Sequence, residues 1–331
     1  MNYWRIAEEI ALSAQLASVL EVSGYPKPGN VHRTADFKDA TFEQFLAGSI
    51  ALGSSIRSVA IKGIKAGLSE IAFNEIGIGE HILKCVLDVK RWHRNGNTHL
   101  GIAMLLTPIS AAAGVVYAES SILNVEKLKR RVKSILDNTT PLDTVNLYKA
   151  IREASAGGLG SLRNTKLPDV MDENAEKTIF EKNITLMDAM KFSAEWDNIA
   201  WELSKYMKIS FEIGYPTFME TYNETKCVNI AVVHTFLTIL AEKPDTLIAR
   251  KEGVKYTKDV TEAVKIGMEK AKEVSEKAKE ILEVGGLKTE GGRRLLFKLD
   301  YELRNLGLNP GSTADLTASS IMIAVLHGFR P

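Results

Sequence analysis

The chain of 331 residues is short of cysteine, with 2, and of proline, with 9, and has no excess of charge, since 42 Lys and Arg face 41 Asp and Glu. Each shortage removes a class of protein. Cys85 and Cys227 cannot form a four-thiolate zinc site or a disulfide framework, which fits a reducing cytoplasm. A formal net charge of +1 gives no global field to hold nucleic acid through many phosphate contacts. The basic run Lys127, Lys129, Arg130, Arg131 and Lys133 lies in a charged helical stretch and reads as a solvated face, so no nucleic-acid partner is expected. Glu8 and Glu9 interrupt the first apolar stretch, where a secretory segment would be uncharged, so export is not expected. One uncharged run, Leu100 to Ala118, approaches the ~20 residues that span a bilayer. Pro108, Ser110, Gly101, Gly114 and three adjacent alanines make it a poor membrane segment. It reads instead as a helix buried on all sides, and no membrane partner is expected. Alternating β-branched segments closed by Asn-Gly or Asp-Gly turns are also missing.

What is present is helix after helix. Ile6, Ile10, Leu12, Leu16, Val19 and Leu20 recur at helical spacing between Trp4 and Leu20. Thr41 to Lys65 behaves alike, behind an Asp-Ala-Thr cap. Further helices are expected over His81–Trp92, Leu100–Ala118, Val125–Leu136, Thr144–Glu153, Leu186–Tyr206, Val228–Leu240, Thr257–Val284 and Thr317–Leu326. Within Thr257–Val284 an apolar stripe from Val260 to Leu282 opposes a face of Lys and Glu spaced three and four apart. Gly157 to Ile184 reads as an exposed loop or short insertion. With no internal repeat, linker or break in composition, the expectation is an all-α fold in a single multi-helix domain, 1–331, around a buried central helix.

Polar residues that helix faces do not explain gather at four breaks between helices. The first runs from Glu21 to Arg33, followed by Asp36 and Asp39. Pro26, Pro28 and Gly29 stiffen it, and Lys27, His32 and Arg33 emerge within seven residues, which suits phosphate binding, while the two aspartates suit magnesium. A proline-rich connector with solvated charges is the alternative. The second, Asn97-Thr98-His99-Leu100-Gly101, precedes the uncharged helix, whose N-terminus offers free amides and a positive dipole end to an anion. Taken alone, a plain cap with a core histidine explains it better. The third, Glu153 to Ser161 with Gly157, Gly158 and Gly160, permits a phosphate nest, though a flexible turn is the commoner outcome, and it matches neither a Walker sequence nor G-x-G-x-x-G. The fourth, Leu308 to Leu316, opens the last apolar helix and includes Asn309, Gly311 and Ser312. It sets Asp315 one turn inside that helix, where a carboxylate needs a metal or a cation.

Taken together, Glu21 to Arg33, the Asn97-Thr98-His99-x-Gly101 signature, Asp245 to Gly253 and Asn309-Pro310-Gly311-Ser312-x-Ala314-Asp315-Leu316 resemble, in this order, the triphosphoribosyl-dephospho-CoA synthase family. The resemblance runs from about Leu16 to the C-terminus. It implies a cytoplasmic, all-helical transferase that moves the triphosphoribosyl group of ATP to the 2′-hydroxyl of 3′-dephospho-CoA and releases adenine. The product is the precursor of a prosthetic group of citrate lyase and malonate decarboxylase acyl carrier subunits. Displacement at an anomeric carbon needs anchored phosphates, a carboxylate near the developing cation and a group to handle the hydroxyl proton.

The resemblance assigns phosphate and nucleotide binding to Lys27, Asn30, His32, Arg33, Asn97, Thr98, Gly101, Ser155, Gly157, Gly158, Arg250, Lys251, Asn309, Gly311 and Ser312. Magnesium falls to Asp36, Asp39 and Asp315, and catalysis to Glu21, His99 and Asp315. A homodimer is compatible with it. The chain departs from citrate lyase type relatives, which read Lys-Pro-Gly-Leu-Val-Asp-Arg, by having Asn30 and His32. It also has Leu100 where a Lys often follows the His and Ala156 where Pro is common. Replacing an acid by His32 removes a metal ligand. Two alternatives stay open: a magnesium-dependent nucleotide hydrolase, and a non-catalytic nucleotide- or coenzyme-binding protein.

Overall fold

A computed structural model of the chain describes residues 2–37, 40–93, 98–120, 122–154 and 167–331. These residues form helices joined by loops and turns, and no strand. Isolated bridges join His32 to Ala35 and Phe37 to Ala40 in the first loop. The first half of the chain carries α1 (Tyr3–Ser23), α2 (Phe42–Ala51), α3 (Gly53–Gly67), α4 (Ile78–Trp92), α5 (Leu100–Ser120), α6 (Val125–Asp137) and α7 (Pro141–Glu153). Next come the short α8 (Ala175–Glu181), α9 (Leu186–Ser193) and α10 (Asn198–Ser204), then α11 (Tyr215–Thr225), α12 (Val228–Glu242) and α13 (Thr246–Gly253). The chain closes with α14 (Val260–Glu283), α15 (Glu290–Leu306) and α16 (Gly311–Leu326).

The expected all-α class holds, and so does the central helix: every residue of α5 from Ile102 to Val116 is buried. Its neighbour α3 approaches to backbone contact. A methyl group on Gly63 would sit 2.0 Å from the Ala111 carbonyl oxygen, and one on Gly114 would sit 2.3 Å from that of Ala60. Glycine at these positions lets the two helices pack as slabs, and the core gains its density there. One hydrophobic cluster surrounds α1, α3, α5 and α16, and a second joins α12, α13, α14 and α15.

Several expected boundaries move. Thr41–Lys65 divides at Leu52, because α2 starts from a Thr41–Gln44 capping box and the chain turns before α3. Leu186–Tyr206 divides too, since Asp197 accepts the Ala200 amide at 2.9 Å and starts α10 afresh. The expected loop Gly157–Ile184 contains α8, and α15 was not expected at all. Gly291 and Gly292 disguise the start of α15, yet Leu296, Leu299 and Leu303 keep a helical buried stripe behind them. The basic run on α6 is an ion-paired face, with Lys129 on Glu212, Arg131 on Glu119 and Lys133 on Asp137.

Candidate functional site

Helix ends, rather than helix faces, build the cavity. A volume of about 630 Å³ lies among the end of α1, the starts of α5, α10 and α16, and the sides of α7, α9 and α13. Its polar wall carries Glu21, Asn30, Thr98, Gly101, Arg250, Lys251, Asn309, Gly311, Ser312 and Asp315. Its apolar wall carries Leu147, Tyr148, Ile151, Met190 and Trp196. Two helices of three turns or more, α5 and α16, therefore bring their positive ends to one space.

Three charged side chains of the polar wall stand without partners among the described residues. Asp315 is half-buried and makes no hydrogen bond or ion pair among the described residues. Burial pushes its pKa well above the usual carboxylate range, helped by the Glu21, Asp245 and Asp197 carboxylates and opposed by Lys27. Gly101 lies flat against it: a methyl group there would come within 2.0 Å of Asp315 Oδ2. Arg250 and Lys251, in the last turn of α13, also lack partners among the described residues, and Arg250 Nε is buried with nothing to bind. An unsatisfied buried donor of this kind costs about 1–3 kcal/mol.

Behind the wall the opposite holds. Lys27 is fully buried and paired with Glu21, and donates to Asn30 Oδ1 at 3.0 Å, while Asn30 donates to Asn309 Oδ1 at 2.8 Å. Burial lowers the Lys27 pKa and raises that of Glu21, each charge partly restoring the other. His32 Nε2 meets Asp300 Oδ2 at 3.3 Å. Arg304 clamps the same loop through Asp300 and the backbone carbonyls of Asn30 and Asp36. Arg33 donates to the Ser23 carbonyl and to Asn229, and lies over the Tyr25 ring.

The structure thus brings together residues from three of the four breaks and leaves others aside. Lys27, His32, Arg33, Asp36 and His99 do not line the cavity. His99 packs on Gly48 and Phe45, with Nδ1 2.7 Å from Thr98 Oγ1 and Nε2 3.2 Å from Ser49 Oγ. Burial holds its pKa down to about 3. Asp36 is exposed and accepts the Phe42 amide at 2.8 Å, ahead of α2. Asp39, Asn97, Ser155, Gly157 and Gly158 lie outside the described residues. Among the described residues no three His, Cys, Asp or Glu side chains converge on a metal position, and of the expected magnesium set of Asp36, Asp39 and Asp315 only Asp315 lines the cavity, Asp39 lying outside the described residues.

Sequence reasoning missed Trp196 and Asp197 on the cavity wall, because Leu186–Tyr206 reads as one unbroken stripe; Asp197 as a cap at its middle was the available signal. It also missed Asp245 as a junction. This buried carboxylate accepts the Leu247 and Ile248 amides through Oδ1, and the Thr313 amide and hydroxyl through Oδ2. Burial raises its pKa against the pull of these donors.

Cations and an acid without partners among the described residues, lining one cavity with the N-termini of α5 and α16, fit an all-helical enzyme that handles a phosphorylated substrate. The chain belongs to the CitG family, ATP:dephospho-CoA triphosphoribosyl transferase, whose model matches residues 7–330. It is also similar to a crystal structure from Archaeoglobus fulgidus of a protein named as a candidate triphosphoribosyl-dephospho-CoA synthase. That similarity has a TM-score of 0.59 and 26% identity, and covers 86% of this chain and 100% of the other. No curated protein matches the chain. Membership makes the chain a transferase.

Proposed function

We propose that the chain transfers the 5-triphosphoribosyl group of ATP to the 2′-hydroxyl of 3′-dephospho-CoA with release of adenine. The observation that carries this reading is that Arg250, Lys251 and Asp315, which have no partners among the described residues, line one cavity. The two cations and the first turn of α16, at Gly311 and Ser312, hold the triphosphate. Asn30, Asn309, Thr98 and Gly101 complete the polar wall, and the apolar wall takes the uncharged parts of the substrates.

In the step itself the C1′–N9 bond breaks with its electron pair going to adenine, and the acceptor oxygen bonds to C1′. The acceptor proton and the proton needed by adenine balance. Asp315, whose carboxyl pKa burial and the neighbouring carboxylates raise, gives its proton to the departing base and takes the hydroxyl proton afterwards. Glu21 lies close enough to disfavour a second anion, and Lys27 holds Glu21 in place. His99, neutral and turned to α2, supports Thr98 rather than the reaction.

Magnesium would enter as the ion of the nucleotide. The chain acts as one domain over 1–331, since α1, α5, α7, α10, α13 and α16 all supply the cavity. Incubation with ATP, magnesium and dephospho-CoA, followed by chromatography, tests the reading. Adenine released only with the acceptor, together with a triphosphoribosylated product, is the expected outcome. Adenine or phosphate released without the acceptor makes the protein a hydrolase, and nucleotide binding without release makes it a non-catalytic binder.

A further inference from the structure

We propose that Asp245 is a positioning residue that sets the register between the phosphate cations of α13 and the acid of α16, an inference that rests on the transferase reading above. Asp245 is fully buried and does not line the cavity, so it touches no substrate. Its two oxygens serve different helices. Oδ1 caps α13 at 2.8 Å from the Leu247 amide and 3.2 Å from that of Ile248. Oδ2 accepts the Thr313 amide and hydroxyl, both at 2.8 Å, in the first turn of α16. Arg250 and Lys251 stand one turn beyond the α13 cap, and Asp315 stands two residues beyond Thr313. One carboxylate therefore fixes both sides of the polar corner.

The residues flanking Asp245 tie in a third element. Thr246 Oγ1 accepts the Asn198 amide at 2.9 Å, and the Pro244 carbonyl accepts the Asn198 side-chain amide at 2.9 Å. The wall at Trp196 and Asp197 is thereby joined to the same junction. A bond network confined to capping would need one oxygen and one helix. The second oxygen reaches a helix 68 residues away in sequence and so holds the α16 turn that carries Asp315 in register with α13.

The test separates α13 from α16. Asp245→Asn keeps an oxygen for the α13 cap and places an amide against the Thr313 amide. Thr313→Val removes the hydroxyl bond alone, and Thr313→Ser keeps it. Steady-state kinetics with ATP and dephospho-CoA, corrected for the folded fraction, give the result. The expected outcome is a kcat about tenfold or more lower in Asp245→Asn, a smaller fall in Thr313→Val, near-normal Thr313→Ser, and an ATP KM within about threefold throughout. If Asp245→Asn does not fold, the Thr313 pair decides. A raised KM with kcat unchanged, equal kcat in all variants, or Thr313→Ser as slow as Thr313→Val overturns the proposal. A wild-type protein that releases no adenine sinks the transferase reading instead, which keeps the two failures apart.

Discussion

The loop from Glu21 to Arg33 and the corner between α13 and α16 hold the same kinds of charge in opposite states. In the loop, Lys27, His32 and Arg33 each have protein partners: Glu21 and Asn30, Asp300, and the Ser23 carbonyl with Asn229. In the corner, Arg250, Lys251 and Asp315 have none among the described residues. Motif resemblance weighs the two regions equally. Bonding does not: charges already satisfied by the protein shape the site, and charges left over meet the substrate.

The contrast breaks most readily at Asp315. Asp315→Asn is expected to lower kcat by about 10²–10⁴-fold while raising the melting temperature at neutral pH. The sign follows from the raised carboxyl pKa. Below the unfolded-state value of about 4 both states are protonated and the variant gains nothing; above it the wild type is penalised increasingly until its folded carboxyl ionises. Wild-type kcat correspondingly falls as the pH rises through the folded value. A melting difference that is the same at acid and neutral pH would show that burial is not the cause.

Next in size, Lys27→Ala strands Glu21 in the core and should cost about 3–5 kcal/mol in denaturant unfolding, with Lys27→Met plus Glu21→Gln recovering most of it. If Lys27→Ala unfolds like the wild type but loses ATP affinity, the loop is a binding element after all. Arg250→Ala should raise the ATP KM by about 10–100-fold, the loss of a charge-assisted contact of roughly 1.5–3 kcal/mol, with a smaller effect on kcat. Arg33→Ala is expected to shift stability by less than about 1 kcal/mol and to leave ATP KM unchanged.

Much of the fold was legible because periodicity is local. The buried α5 is an unbroken apolar run, and α14 announces itself by its Lys and Glu face. The start of α15 hid behind two glycines, and the break before α10 hid inside an apolar stripe, because caps compete with pattern only in three dimensions. The site was legible in its residue types and illegible in its bonding. Nothing in the spacing tells that Arg304 occupies the carbonyls of Asn30 and Asp36, or that Asp300 takes His32. Asp245 carries the clearest instance: its neighbours read as a helix start, yet half of its bonds run to Thr313.

The contact of Gly101 with Asp315 has a consequence for redesign. With no space for even a methyl group between them, the α5 side of the acid is sterically closed to innovation, and any side chain installed there displaces the acid before it meets a new substrate. Altered acceptor preference therefore has to be sought on the facing wall, at Leu147, Ile151, Met190 and Trp196, where side chains rather than backbone define the space. Libraries confined to those positions should return folded proteins with new selectivity, whereas libraries at position 101 should return inactive ones.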